Sequence, residues 1–104
     1  MQFDVHPNPN KASAAAYPFV LDIQSNLLSA LPTRLVIPLQ LMQEDPIEIP
    51  ARLCPSFTVK GQKVSLVSYQ AAPISKKLLK KPVASLASQA HEIIAAIDAV
   101  LSGV

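Results

Sequence analysis

The chain has 104 residues, of which 50% are hydrophobic and 15% charged, with a formal net charge of +2. That length fits one small domain with a modest core, the composition excludes a disordered chain, and the charge is too small to argue for nucleic-acid binding. A single cysteine excludes an intrachain disulfide, and two glycines against ten prolines leave neither a G-x-G-x-x-G fingerprint nor a P-loop.

The first residues, "MQFDVHPNPNK", have neither the basic nor the apolar region of a signal peptide, and no apolar run is long enough to span a bilayer. The expectation is a cytoplasmic protein with no membrane contact. Gln2 to His6 alternates Phe3 and Val5 with polar neighbours, as a short strand does. "PNPNKASAAA" reads as a turn or loop. In "YPFVLDIQSNLL", Phe19, Leu21 and Ile23 share one face and Val20, Asp22 and Gln24 the other, which predicts a half-buried strand. After a turn at "SALPT", "RLVIPL" is a continuous apolar run, hence a well-buried strand, with Pro38 expected at a strand end, an edge or a bulge.

"QEDPIEIPARLCP" places Glu44, Asp45 and Glu48 between prolines, predicting an exposed loop or edge. "SFTVKGQKVSLVSYQ" predicts a hairpin turning at Lys60-Gly61-Gln62-Lys63. "AAPISKKLLKKP" fits either a short strand or a turn of helix. From Pro82 to Leu101, apolar residues recur at Val83, Leu86, Ala90, Ile93, Ile97 and Val100, flanked by Ala87, Ile94 and Leu101, predicting one helix with a wide apolar stripe. Ser88, Glu92, Ala95, Ala99 and Ser102 form its opposite face. Pro82 suits a first helical turn and Gly103 a C-terminal cap. Antiparallel strands followed by one helix make a single β-rich α+β domain over 1–104.

His6, His91 and Cys54 are scattered without metal-ligand spacing, so no metal or other cofactor is expected. Cys54 reads as an inert, partly buried thiol. Arg34 and Arg52 precede apolar runs, where either can take a phosphate or carboxylate or simply join an ion pair. Lys76, Lys77, Lys80 and Lys81 of "KKLLKK" hold four of the nine basic residues. They suit an acidic partner or a solvated edge that blocks strand pairing.

Four stretches together resemble the CcdB family of toxin–antitoxin toxins: "MQF", "FVLDIQSNLLSALPTRLVIPL" at Phe19–Leu39, "RLCP" at Arg52–Pro55, and the closing "HEIIAAIDAVLSGV". The resemblance spans nearly the whole chain. It implies an SH3-like antiparallel β-barrel with a small additional sheet and a C-terminal helix. It also implies a homodimer that is no enzyme, binds the A subunit of DNA gyrase and traps the gyrase–DNA cleavage complex. The implied partners are an acidic cognate antitoxin, for which the lysine cluster is the candidate dock, and operator DNA reached only through the antitoxin complex, which represses its own operon. By the same resemblance the gyrase-binding positions match Ser102, Gly103 and Val104, with Asp98, the Leu27–Leu28 pair and Asn26 beside them. Ser102 stands where familiar members have tryptophan, and Asp98 where asparagine is familiar. Two alternatives remain open: an endoribonuclease of the MazF type, which has the same kind of barrel, and a degenerate CcdB-like protein that binds antitoxin without poisoning gyrase.

Overall fold

The computed structural model describes residues 1–42 and 53–103. Seven strands and one helix make up its regular elements: β1 (Asp4–Pro7), β2 (Phe19–Asp22), β3 (Thr33–Leu41), β4 (Ser56–Val59), β5 (Gln62–Leu66), β6 (Ala72–Ser75), β7 (Ala84–Ser85) and α1 (Ala90–Ser102). The strands run in the order β4-β5-β3-β2-β1-β7, all pairs antiparallel, with β6 joining β3 off that path. The sheet curls into a nearly closed barrel, so the α+β, β-rich architecture expected from the sequence is the one found. The acidic loop at Glu44, Asp45 and Glu48, Arg52 and Val104 all lie outside the described residues.

The core fills the barrel with one inward face from each long strand. Val5, Leu21, Ile37, Leu39, Val64 and Leu66 are fully buried, and Ile93 and Ala96 of α1 close one side. β2 is not half-buried. All four of its residues are buried, because β1 and β3 flank it on both edges and its second face is covered as well as its first. A strand with two covered faces can hide Asp22 only by pairing it, and that requirement shapes the candidate site described below.

Pro38 sits inside β3, not at an end. In a strand, a residue's N–H and C=O point to the same side, and the Pro38 carbonyl accepts from the Val67 N–H at 3.1 Å. The missing donor therefore faces the point where β3 changes neighbour, from β6 along Thr33–Val36 to β5 along Leu39–Leu41. No ladder bond is forfeited there, which is why a central strand tolerates this proline.

The hairpin prediction holds with a tighter turn. Only Lys60 and Gly61 separate β4 from β5, at φ 53° and 76°, the paired left-handed conformation that two-residue hairpins favour. The "AAPISKKLLKKP" stretch contains both expected alternatives, β6 followed by a 3₁₀ turn at Lys76–Leu78.

The predicted helix from Pro82 is shorter than its apolar pattern. Val83 and Leu86 donate to the Val5 and Phe3 carbonyls, each at 2.8 Å, and β7 pairs with β1. A 3₁₀ turn at Ala87–Gln89 then leads into α1, which begins only at Ala90. Backbone pairing along the exposed edge of β1 outweighs a helical pattern that local residues alone would allow. Within α1 the buried face is centred on Ile93, Ala96 and Ala99, whereas Ile94, Val100 and Leu101 reach solvent. Ala99 thus moves to the core side, and three apolar residues expected in the stripe leave it. Gly103 does cap the helix, at φ 73° with its N–H on the Ala99 carbonyl at 2.9 Å.

Candidate functional site

Beyond β2 the chain turns outward through a 3₁₀ turn, Asn26–Leu28. Ser25 starts it as an N-cap, its hydroxyl accepting from the Leu27 N–H at 3.2 Å. The Leu28, Ser29 and Leu31 amides then bond back onto Ser25, Asn26 and Leu28. Asn26 is tied to the segment before β1 by the Gln2 N–H, 3.2 Å from its Oδ1. The turn is well bonded, yet its two large side chains are in water: Leu27 is 94% exposed and Leu28 50%. Holding an apolar pair outward on a fixed turn has no folding benefit, since burial is what stabilises leucine.

Under this turn lies a buried polar network that the sequence did not announce. The Arg34 guanidinium places Nη2 2.8 Å and Nε 2.9 Å from Asp22 Oδ2, with both side chains nearly inaccessible. The Met1 amino group lies 3.5 Å from the same oxygen. Asp22 Oδ1 accepts from the Gln24 N–H at 3.0 Å, and Arg34 Nη2 donates to the Gln24 carbonyl at 3.4 Å. In sequence, Asp22 and Gln24 alternate with apolar residues and so read as a solvent face. Only the β2–β3 register, which sets Asp22 opposite Val36, brings Arg34 within reach. The sole sequence signal was an unmatched cation ahead of "LVIPL".

The second predicted element is the end of α1. Asp98, Ser102 and Gly103 are exposed there, beside Leu101 at 80% exposure. Ser102 donates its hydroxyl back to the Asp98 carbonyl at 2.7 Å, which occupies its one donor. A Cβ on Gly103 would meet nothing within 4 Å, so the surface there is open. Among the described residues, no hydrogen bond or ion pair joins this helix end to the Asn26–Leu28 turn.

The lysine cluster adjoins the leucine turn. Lys76 donates from its backbone to the Pro32 carbonyl at 2.9 Å and from Nζ to the Ser29 carbonyl at 3.3 Å. Ser75 caps the Lys76–Leu78 turn, after which Lys80 and Lys81 continue in non-helical chain, all four lysines exposed. The Lys80 carbonyl bonds the buried His6 ring at Nδ1, 2.6 Å away. Because a carbonyl only accepts, Nδ1 carries a proton in this contact; Nε2 is buried without a partner among the described residues.

His6, His91 and Cys54 do not come together, and no group of metal-ligating side chains forms among the described residues. A shallow cavity of about 290 Å³ lies between the Asn8–Tyr17 loop and Val20, Val36 and Pro38. Among the described residues its lining contains no carboxylate, imidazole or cation. No helix among the described residues is long and apolar enough to cross a membrane.

A family model described as CcdB protein matches residues 2–103. The chain belongs to the CcdB family. Membership makes it a CcdB-type toxin, with the toxin–antitoxin partnership that this entails. No curated protein matches the chain.

Proposed function

We propose that this CcdB-type toxin poisons DNA gyrase as a homodimer. It binds the A subunit through the Asn26–Leu27–Leu28 turn and the helix end at Asp98, Ser102, Gly103 and Val104, and holds the enzyme on cleaved DNA. The observation that carries the reading is Leu27, an apolar side chain 94% exposed on a turn bonded at both ends. Exposed apolar groups on a fixed support are what a protein interface needs. The chemistry required is binding alone. The MazF-type alternative rested on the shared kind of barrel and would need a phosphate-binding arginine, Arg34 or Arg52; Arg34 is committed to Asp22.

An acidic antitoxin segment docks on Lys76, Lys77, Lys80 and Lys81, and operator DNA is contacted through that complex. The toxin acts in the cytoplasm, where gyrase is. Lys76 bonds the carbonyl of Ser29, next to the leucine turn, so an antitoxin on the cluster lies beside the gyrase-binding surface.

The test is a gyrase cleavage assay run beside an RNA-cleavage control. The full-length protein is expected to accumulate cleaved DNA and leave RNA intact. Deleting residues 102–104 is expected to abolish trapping while circular dichroism stays unchanged, since helix ends contribute little to the core. Ser102→Trp is expected to strengthen binding to gyrases recognised by tryptophan-bearing relatives, because a large aromatic anchor adds interface energy. Full trapping by the folded, truncated protein would remove the helix end from the site. Absence of trapping by the intact protein would leave antitoxin binding as its remaining toxin-family activity.

A further inference from the structure

We propose that Gln24 is the positioning residue of the gyrase-binding surface, setting the shape of the Leu27–Leu28 turn from a buried position just beyond the end of β2. The proposal rests on the reading of that turn as a gyrase contact.

β2 ends at Asp22, but β3, which pairs with it, runs on to Thr33. The Leu35 peptide therefore faces a side where β2 has run out. Its carbonyl is met by the Ile23 N–H at 2.9 Å. Its N–H is met by a side chain instead of a strand: Gln24 Oε1 accepts from it at 3.0 Å. The same carboxamide donates from Nε2 to the Leu28 carbonyl at 2.9 Å. Gln24 thus stands in for a missing peptide, its acceptor on the last paired strand and its donor on the last residue of the exposed turn.

The carboxamide is aimed by its own backbone. Gln24's N–H is held by Asp22 Oδ1 and its carbonyl by Arg34 Nη2, and Gln24 is 6% exposed. A buried, fully bonded amide has few alternative rotamers, so the distance from β3 to the Leu28 carbonyl is fixed by the barrel and not by the turn. Preorganising a contact loop improves affinity by removing the ordering cost of binding. An ordinary structural glutamine would need only one of these two partners; bridging both is what transmits the core's geometry to Leu27 and Leu28.

The experiment compares the wild-type protein with Gln24→Met and Gln24→Glu by amide hydrogen exchange and by binding to a fragment of the gyrase A subunit spanning its dimerisation region. Gln24→Met keeps the length and removes both bonds. Exchange at the Leu28, Ser29 and Leu31 amides is expected to rise about tenfold, the size of one lost net hydrogen bond, while amides shared by β3 and β5 stay within about twofold, as local opening allows. Affinity for the gyrase fragment is expected to fall by a similar factor.

Gln24→Glu supplies a readout that packing alone does not move. Ionised at pH 8, it accepts from Leu35 but opposes the Leu28 carbonyl; protonated near about pH 4.5, in a range that burial extends upward, its hydroxyl restores the donor. Turn protection, taken relative to wild type at each pH, is expected to be lost at the higher pH and regained at the lower. Unchanged turn exchange in both variants overturns the proposal, as does undiminished gyrase affinity with a loosened turn. A general rise in exchange across the barrel, with no excess at the turn, also overturns it. If the wild-type protein binds no gyrase fragment, the gyrase reading fails, and the exchange measurements alone decide whether Gln24 positions the turn.

Discussion

Asp22 and Arg34 are tolerable in the interior chiefly because each pairs with the other. Both are almost inaccessible, and their oxygens and nitrogens lie within 2.9 Å. Removing Arg34 leaves Asp22 with only the Met1 amino group, 3.5 Å away and mostly in solvent, whereas removing both leaves no buried charge. Arg34→Met is therefore expected to destabilise the fold by about 3–5 kcal/mol, and Arg34→Met with Asp22→Leu by clearly less. Urea unfolding midpoints of the two single variants and the double variant check this. Additive losses would mean that the pair does not act as a unit. The double variant also removes two supports of the Gln24 backbone, so a stable double variant is expected to show the loosened leucine turn with an intact barrel.

At the scale of elements, sequence patterns were informative where one local rule had no competitor. The hairpin needed only alternating apolar residues around Lys60-Gly61, and the helix end needed only Gly103, whose φ of 73° matches the capping role. The pattern misled where a distant strand competed. Val83 and Leu86 fit a helical stripe, but their N–H groups are taken by Val5 of β1 and by Phe3 just before it, and nothing within the last 23 residues announces that edge. Ala99 was assigned to the outer face because alanine fits either environment, and it is buried. The hairpin also carries a correctable strain. Lys60 sits at φ 53°, a conformation that asparagine tolerates better than lysine. Lys60→Asn makes the preferred Asn-Gly pair. It is expected to stabilise the protein by about 0.5–1 kcal/mol, part of the left-handed penalty, raising the thermal midpoint without altering gyrase or antitoxin binding. An unchanged or lower midpoint would show that Lys60 gains something here that its backbone conformation does not reveal.

For the molecule as a whole, the residues of the candidate site were legible through family resemblance, while the reason they stay exposed became visible only in the fold. Leu27 and Leu28 follow a strand and look like its continuation; the barrel turns them out because β2 stops and Gln24 fills its place. The same comparison of pattern with burial bears on the proposed dimer. On α1, Ile94 and Leu101 are 49% and 80% exposed, and with half-buried Ile97 they follow the spacing of one helix side, about 10 Å long at 1.5 Å per residue. The helix packs against the Ser68–Gln70 turn, where Tyr69 is 53% exposed. A stable dimer buries about 1,200–2,000 Å² in total, more than a three-residue stripe supplies, so the proposed dimer on this face would extend from the helix onto neighbouring surface such as Tyr69. Ile94→Asp places a charge at the start of that stripe, two helical turns from Ser102 and one turn from Asp98, so the oligomeric state, not gyrase binding, is what it reports. Its site is solvent-accessible in the single chain, so folding is expected to change by no more than about 0.5 kcal/mol. Sedimentation at micromolar concentration is expected to give dimer for the wild-type protein and monomer for Ile94→Asp. A wild-type monomer would overturn the dimer reading, and a dimer in both proteins would move the interface off this face of the helix.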